Sequence, residues 1–358
     1  MIDRAAEHLL PIELGLLPEL RDLIRSARRQ AAQVVDAVQV QLYWQVGTRI
    51  YRDILVGQRA EYGVQLIPVL SQHLSAEFGR GFGEKNLRRM VQFAEEFPDE
   101  QIVAALLRQL GWTHFTMLIP IADHHKRDFY AEMCRIYGWS TRELRAQIDG
   151  MLYERTALSK KPASLIEQEL SALRCDDKVA PDLVFKDPYF LDFLGLRDTY
   201  SEKDLESAIL REIERVLLEL GSGFAFIERQ KRIVVDGQDF YIDLLFYHRR
   251  MRRLVLVELK LGSFQPADFG QVEFYLRWLN KYERQPGEEA PMGLILCAEK
   301  SDERIELLEL EKSGIRVAEY LTELPPKKLL QQRLHEAVAH ARERVERAAS
   351  EQDSGAGA

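Results

Sequence analysis

The sequence predicts two fold classes in one chain: an all-α domain, then an α/β domain whose mixed central sheet is flanked by helices. Three observations predict this. Apolar residues recur at spacings of three and four from Pro18 to about Leu158. Beyond residue 200, short β-rich runs alternate with amphipathic helices, the order that gives a sheet covered on both faces. A chain of 358 residues also exceeds what one ordinary core organises.

In the first half, Leu20, Ile24, Ala27 and Ala31 begin an apolar stripe that Val34, Val38, Leu42 and Val46 continue, and such a stripe faces a core. Gly47 interrupts it and marks either a close helix–helix approach or a kink. Tyr43 and Trp44 read as core packing. A helix over Leu70–Phe78, a glycine-bearing turn over Gly79–Gly83 and a helix over Glu84–Phe93 then resemble a helix-turn-helix. Leu87, Met90 and Phe93 stand at core spacing on the last of these, beside Lys85, Asn86, Arg88 and Arg89, side chains suited to base edges and phosphates. Ser140 or Thr141 caps a later helix. His124 and His125 are adjacent, lack a partner four residues on, and read as surface residues rather than a metal site. The helical domain is expected over 1–158, with a charged linker over 159–187, helical between Ala163 and Leu173 and extended from Pro181 to Pro188.

The second domain, expected over 188–326, opens with an amphipathic helix from Asp204 to Leu220, stopped by Gly221-Ser-Gly223. Strands are predicted over Phe224–Ile227, Lys231–Val235, Phe240–Tyr247 and Leu254–Lys260, with turns at Asp236–Asp239 and Arg249–Arg253. A helix over Pro266–Asn280, a buried strand over Gly293–Ala298, a helix around Arg304–Glu311 and a strand over Ile315–Tyr320 complete it. After Pro325-Pro326, an amphipathic helix over 327–350 packs on its own domain or on a neighbour, and 351–358 reads as a disordered tail.

Composition narrows the function. Apolar residues make up 46% and charged residues 30%, the balance of a soluble globular protein. The net charge of −8 argues against coating nucleic acid through overall charge, so any such contact falls to local basic patches. Cys134, Cys175 and Cys297 are too few and too scattered for a zinc site or disulfide framework, and fit a reducing cytoplasm. The first residues carry charges where a signal peptide is apolar, and no run reaches the roughly 18 apolar residues of a membrane span.

The chemistry concentrates in Tyr241–His248 and Leu254–Lys260. These predict a hairpin with Asp243 on one strand, and Glu258 and Lys260 on the same face of the next because side chains alternate along a strand. Two carboxylates and an ammonium are costly to bury singly. A divalent cation between Asp243 and Glu258, with Lys260 addressing an anionic substrate, makes the set reasonable and describes a metal-dependent phosphodiesterase. Asp243 could instead cap a strand, and Glu258 with Lys260 could be a surface ion pair, although Leu254–Val257 is the unbroken apolar run of a buried strand. Arg249, Arg250, Arg252 and Arg253 occupy the turn between these strands and suit either phosphate contact or solubility.

These residues resemble the PD-(D/E)XK nuclease superfamily, and the chain is similar to YhcG-like bacterial proteins, in which a helical domain precedes such a nuclease domain. The carrying residues run from Asp204-Leu-Glu206 through Leu220–Phe226 to Asp243 and Glu258-Leu-Lys260, then Phe264–Pro266, Gly270-Gln271 and Gly293–Cys297. The resemblance implies a restriction-endonuclease-like fold. It also implies Mg2+ (or Mn2+) held by Asp243, Glu258 and the Leu259 carbonyl, with Lys260 steadying the attacking water or the developing charge. Gln271 matches a glutamine that often follows the Glu-x-Lys strand, with Tyr275 one turn later, and Glu206 matches an acid on the first helix. For Glu206, a solvated helix face shared with Glu212, Glu214 and Glu219 is the alternative. Ile242 stands where the superfamily name has proline, a position without a chemical role. DNA is the implied partner and a homo-oligomer follows if both strands of a duplex are cut; neither a membrane nor an organic cofactor is expected. Three readings stay open: a Mg2+-dependent endonuclease, a nuclease-fold DNA-binding scaffold without turnover in a restriction, defence or mobile-element system, and a helix-turn-helix regulator.

Overall fold

A computed structural model describes the backbone of residues 11–56, 60–196, 200–308 and 310–355. The charged first ten residues, read above for a signal peptide, and the last three of the expected tail lie outside this range. The chain divides between Arg145 and Ala146 into two compact units.

The first unit is helical. Helix α1 spans Pro11–Val56 and α2 Ala60–Phe78; after a 3-10 turn over Arg80–Phe82, α3 covers Glu84–Glu96. Then come α4 (Glu100–Leu106), α5 (Trp112–Leu118), α6 (His124–Tyr137) and α7 (Thr141–Asp149), which runs across the division. The core gathers Tyr43 and Ile50 of α1, Ile67 of α2, and Leu87 and Met90 of α3. Tyr43 and Trp44 are buried as predicted, with Trp44 Nε1 donating to the Phe97 carbonyl at 2.8 Å. The early part of the α1 stripe departs from expectation: Leu20, Ile24, Val34, Val38 and Leu42 are exposed. The reason is length. At 46 residues, α1 extends about 69 Å, and the buried residues cluster towards its carboxyl-terminal end.

Gly47 proves to be a point of close approach. A Cβ built there would lie 1.8 Å from the Met90 carbonyl oxygen of α3, so only a hydrogen fits between the two backbones. Ser140 is the cap of α7, its Oγ accepting from the Glu143 amide at 3.3 Å while Glu143 Oε2 accepts from the Ser140 amide at 2.7 Å. His125 is a correction: it is 8% exposed, and its ring lies 3.8 Å from that of His124, centroid to centroid.

The second unit carries the sheet. It opens with α8 (Leu152–Arg155), α9 (Ala163–Asp176), α10 (Pro181–Val184) and the short strand β1 (Tyr189–Phe190). Helices α11 (Glu202–Arg211) and α12 (Ile213–Leu220) precede β2 (Phe224–Val235), β3 (Gln238–His248) and β4 (Arg253–Ser263). Helix α13 (Pro266–Tyr282), β5 (Met292–Glu299), α14 (Asp302–Leu307), β6 (Ile315–Leu321) and α15 (Lys327–Gly355) follow. The strand order is β1-β6-β5-β4-β3-β2, antiparallel over β2–β3–β4 and parallel from β4 to β1. The fold is therefore an all-α region followed by an α/β region with a mixed sheet, as predicted. Ile233, Ile242, Leu256, Val272, Ile295 and Ile315 sit at its core.

Four details correct the sequence reading. The two strands expected over 224–235 are one, bent by a bulge between Phe226 and Glu228. The single helix expected over 204–220 breaks at Glu212. Helix α15 continues through 351–355 of the expected tail, and Leu330 and Leu334 bury against Met151, so it packs on its own unit. The expected linker is a strap bonded into the second unit. Pro181–Val184 is helical rather than extended, Lys160 Nζ meets Asp187 at 2.7 Å, Lys300 also binds Asp187, and Arg316 reaches Asp182 at 2.7 Å. Burial opposes charge on Asp187, yet Lys160 and Lys300 outweigh it and hold the carboxyl at about 2. The charges that resemble a solvated linker are thus neutralised by partners distant in sequence.

Gly47→Ala should destabilise the chain by about 2 kcal/mol or more in chemical denaturation, because the added methyl meets backbone that cannot yield locally. A change within about 0.5 kcal/mol would refute the close approach.

Candidate active site

The site lies where β3 and β4 part. Their ladder runs from His248↔Arg253 to Leu244↔Val257 and stops there. Beyond it, β3 continues to pair with β2, and β4 pairs with β5. Asp243 and Glu258 are the next residues on the two strands. Antiparallel register puts them opposite each other at the fork, on one face. The fork opens space between two strands otherwise lined by Leu244, Leu245, Val257 and Leu259, all buried.

This setting makes Glu258 unusual. It is 2% exposed, and burial, then the Asp243 charge, pushes its carboxyl up to about 7 despite Lys260. Glu258 Oε1 accepts from Lys260 Nζ at 3.0 Å, whereas buried Oε2 has no hydrogen-bond partner. Asp243 Oδ2 accepts from the Leu259 amide at 3.0 Å, which fixes that carboxylate against β4. Burial works against the charge of Lys260, but Glu258 and Asp268 more than offset it, so its ammonium is held more firmly than usual. Lys260 Nζ also donates to Gln271 Oε1 at 3.3 Å, and Gln271 Nε2 donates to the Tyr275 hydroxyl at 3.1 Å. Tyr275 stands one helical turn beyond Gln271 on α13, as the sequence predicts.

Glu206 joins this group from α11. Burial and then Asp243 raise its carboxyl above the ordinary value, and its Oε2 accepts from Gln230 Nε2 at 3.0 Å. It therefore differs from Glu219, which the sequence reading placed with it on a solvated face. Glu219 is instead half-buried and paired with Arg155 and Lys186. Gln230 was not singled out by the sequence reading. Its signal was the gap at 228–230 between two predicted strands, where the backbone bends to bring its amide to the acids.

The donor set fits a hard divalent cation. Two carboxylates converge, one presents a buried oxygen without a hydrogen-bond donor, and the repulsion that raises Glu258 is the kind a cation relieves. By contrast, Asp123, His124 and His125 bring potential ligand atoms within 4.8 Å of one another, but Asp123 caps the amino terminus of α6 and the histidines are its first residues, where the helix dipole disfavours a cation.

The expected DNA-facing residues differ in exposure and in the partners they hold. Asn86 is engaged at both ends, accepting from Trp112 Nε1 at 2.9 Å and donating to the Gly81 carbonyl at 2.6 Å, so it is not available to a base edge. Arg88 pairs with Glu84 at 2.7 Å on the surface. Lys85 is exposed and Arg89 half-buried. In the β3–β4 turn, Arg249 and Arg250 are exposed, Arg252 donates to the Gly287 carbonyl, and Arg253 is half-buried. That turn stands five strand residues from the acids, about 17 Å, rather than beside them.

The YhcG PDDEXK nuclease domain matches residues 182–335, and the DUF1016 N-terminal domain matches residues 19–155. The Escherichia coli (strain K12) protein named "Putative nuclease YhcG" is 35% identical over 339 residues, covering 86% of this chain and 90% of that one. Among solved structures, an EndoMS–dsDNA2 complex is 20% identical, covers 36% of this chain and 48% of that one, and gives a TM-score of 0.28. A repair endonuclease from Pyrococcus abyssi is 22% identical, covers 36% of this chain and 50% of that one, and gives 0.24.

Glu258 also sets a pH dependence. Folded, it keeps its proton to about 7; unfolded, it releases it near 4.5. The folded chain thus binds more protons between these values, so without a cation its stability falls as pH rises from about 4.5 to about 7. Glu258→Gln should remove that decline and stabilise the metal-free chain at pH 8 by on the order of 2 kcal/mol in chelator-containing denaturation experiments. Equal stability of the two chains across this range would show that the carboxyl is not held out of water.

Proposed function

The chain belongs to the YhcG family of PDDEXK nuclease-domain proteins, and on that premise we propose that it is a Mg2+-dependent DNA endonuclease. The observation that carries this reading is the opposed pair Asp243 and Glu258 at the strand fork, with the Glu258 Oε2 orphaned and Lys260 alongside. The resemblance to PD-(D/E)XK nucleases implies a divalent metal ion, and the acids at the fork fit one. Asp243, Glu258 and the Leu259 carbonyl would hold Mg2+, and Mn2+ could take the same oxygen ligands. A cation held there would supply charge to polarise the scissile phosphate and would lower the pKa of a bound water, so that its hydroxide form becomes available as nucleophile.

The remaining work falls to the protein. Lys260, its proton firmly held beside Glu258 and Asp268, is suited to offset negative charge on the phosphoryl oxygens rather than to act as a base. Gln271 positions Lys260 through its Oε1, and the Tyr275 hydroxyl fixes the orientation of that amide. Glu206 adds a third carboxylate on the α11 side. Arg249 and Arg250 offer phosphate contacts at the end of the hairpin. In the helical unit Lys85, Arg88 and Arg89 remain as candidates for DNA contact, while Asn86 is committed to the fold. Cutting both strands of a duplex calls for two such sites, hence a homo-oligomer.

In Mg2+, Asp243→Ala and Lys260→Ala should each cut DNA at least about 100-fold more slowly than the parent while keeping its circular dichroism spectrum. Parental cleavage by either variant would refute the assignment. The double substitution Arg249→Ala, Arg250→Ala should weaken DNA binding and lower the slope of log affinity against log salt by about 2 in fluorescence anisotropy. An unchanged slope would leave these arginines a role in solubility alone.

A further inference from the structure

Gln230 combines an in-register position with an unusual backbone conformation. On β2 it falls between Arg229, paired with Leu244, and Lys231, paired with Ile242, and so stands across from Asp243. Its φ is +44°, a left-handed conformation that a non-glycine residue adopts at a cost. From there its terminal amide reaches two carboxylates at once: Nε2 donates to Glu206 Oε2 at 3.0 Å and to Asp243 Oδ1 at 3.0 Å. The facing atom must be the nitrogen. Both partners are acceptors, and the side-chain NH2 has one hydrogen for each.

We propose that Gln230 is a positioning residue of the phosphodiester-cleaving site, one that holds Glu206 against Asp243 so that both carboxylates face a single divalent cation. This rests on the cation-dependent reading above and extends it to a residue on the opposite strand. Glu206 is partly buried and is repelled by Asp243, so without a shared donor it gains by swinging away on its flexible stem. A neutral amide is suited to the task. An ammonium or guanidinium in its place would cancel the charge that attracts the cation, and a third carboxylate would add to the repulsion. Gln271 does not duplicate the role, because its amide addresses Lys260 and Tyr275. The bulge between Phe226 and Glu228 then sets the register that brings Gln230 opposite Asp243, and the left-handed backbone at Gln230 completes the placement of its side chain.

Calorimetric titration of the full chain with Mn2+ tests the proposal. Gln230→Ala and Gln230→Gly should each weaken Mn2+ binding about 10-fold or more, and glycine accepts the left-handed backbone, so a loss in both cannot come from strain. Glu206→Ala should lose a similar factor, and the double variant Gln230→Ala, Glu206→Ala should bind no more weakly than Glu206→Ala alone, since Gln230 acts through Glu206. Cleavage by Gln230→Ala should recover towards the parental rate as Mn2+ is raised, which a general loss of structure would not allow. Parental Mn2+ affinity in both Gln230 variants, or full additivity with Glu206→Ala, would overturn the proposal. Asp243→Ala is the control. If it binds Mn2+ as tightly as the parent, the cation reading itself fails and takes this proposal with it; if it does not and the Gln230 variants are unaffected, only the role of Gln230 falls.

Discussion

Burial of the Glu258 carboxylate is the constraint around which the second unit is arranged. A carboxylate in an apolar sheet is held only at a cost, and here it also faces Asp243 across the strand fork. The surrounding groups answer that cost in part. Lys260 supplies one charge, and the Leu259 amide and the Gln230 side chain hold Asp243. What is left is a buried oxygen without a donor and a carboxyl that keeps its proton to about 7. A fold that keeps this imbalance stores attraction for a cation, because the repulsion is relieved only when positive charge enters the fork.

The same unit shows the opposite solution where no chemistry is called for. Asp187 is also largely enclosed, though less than Glu258, yet Lys160 and Lys300 bracket it and the Glu319 amide donates to it at 3.1 Å, so its carboxyl falls to about 2. Arg155 and Lys186 treat Glu219 similarly. Well-partnered charges tie the strap of residues 159–187 to its own unit, Asp187 to Lys300 and the Glu319 amide, and Lys186 to Glu219 of α12; the under-partnered acids sit at the fork. The difference in pairing, rather than the residue type, separates structural from candidate catalytic carboxylates.

Legibility in the sequence followed the distance over which each feature is decided. Alternation along a strand put Glu258 and Lys260 on one face, and a separation of four put Tyr275 beside Gln271, because both depend on local periodicity. Asn86 looked free for DNA but is bonded to Trp112, twenty-six positions away. Asp187 looked like part of a solvated linker but is bonded to Lys300, and its partner lies 113 positions on. Gln230 was missed because a bulge between Phe226 and Glu228 sets the register that brings it opposite Asp243, and bulges leave only a gap in an alternating pattern.

By itself, then, the sequence determined the order of helices and strands, the two-part organisation and the identity of the acids and lysine at the hairpin, since these follow from short-range periodicity and residue chemistry. Only the tertiary structure decided where β3 and β4 separate, which charges are neutralised, that Gly47 must leave room for the Met90 backbone, and that Glu206 and Asp243 share one amide. Those outcomes depend on close contacts between segments far apart in the chain, and a one-dimensional pattern carries no record of which distant groups will meet.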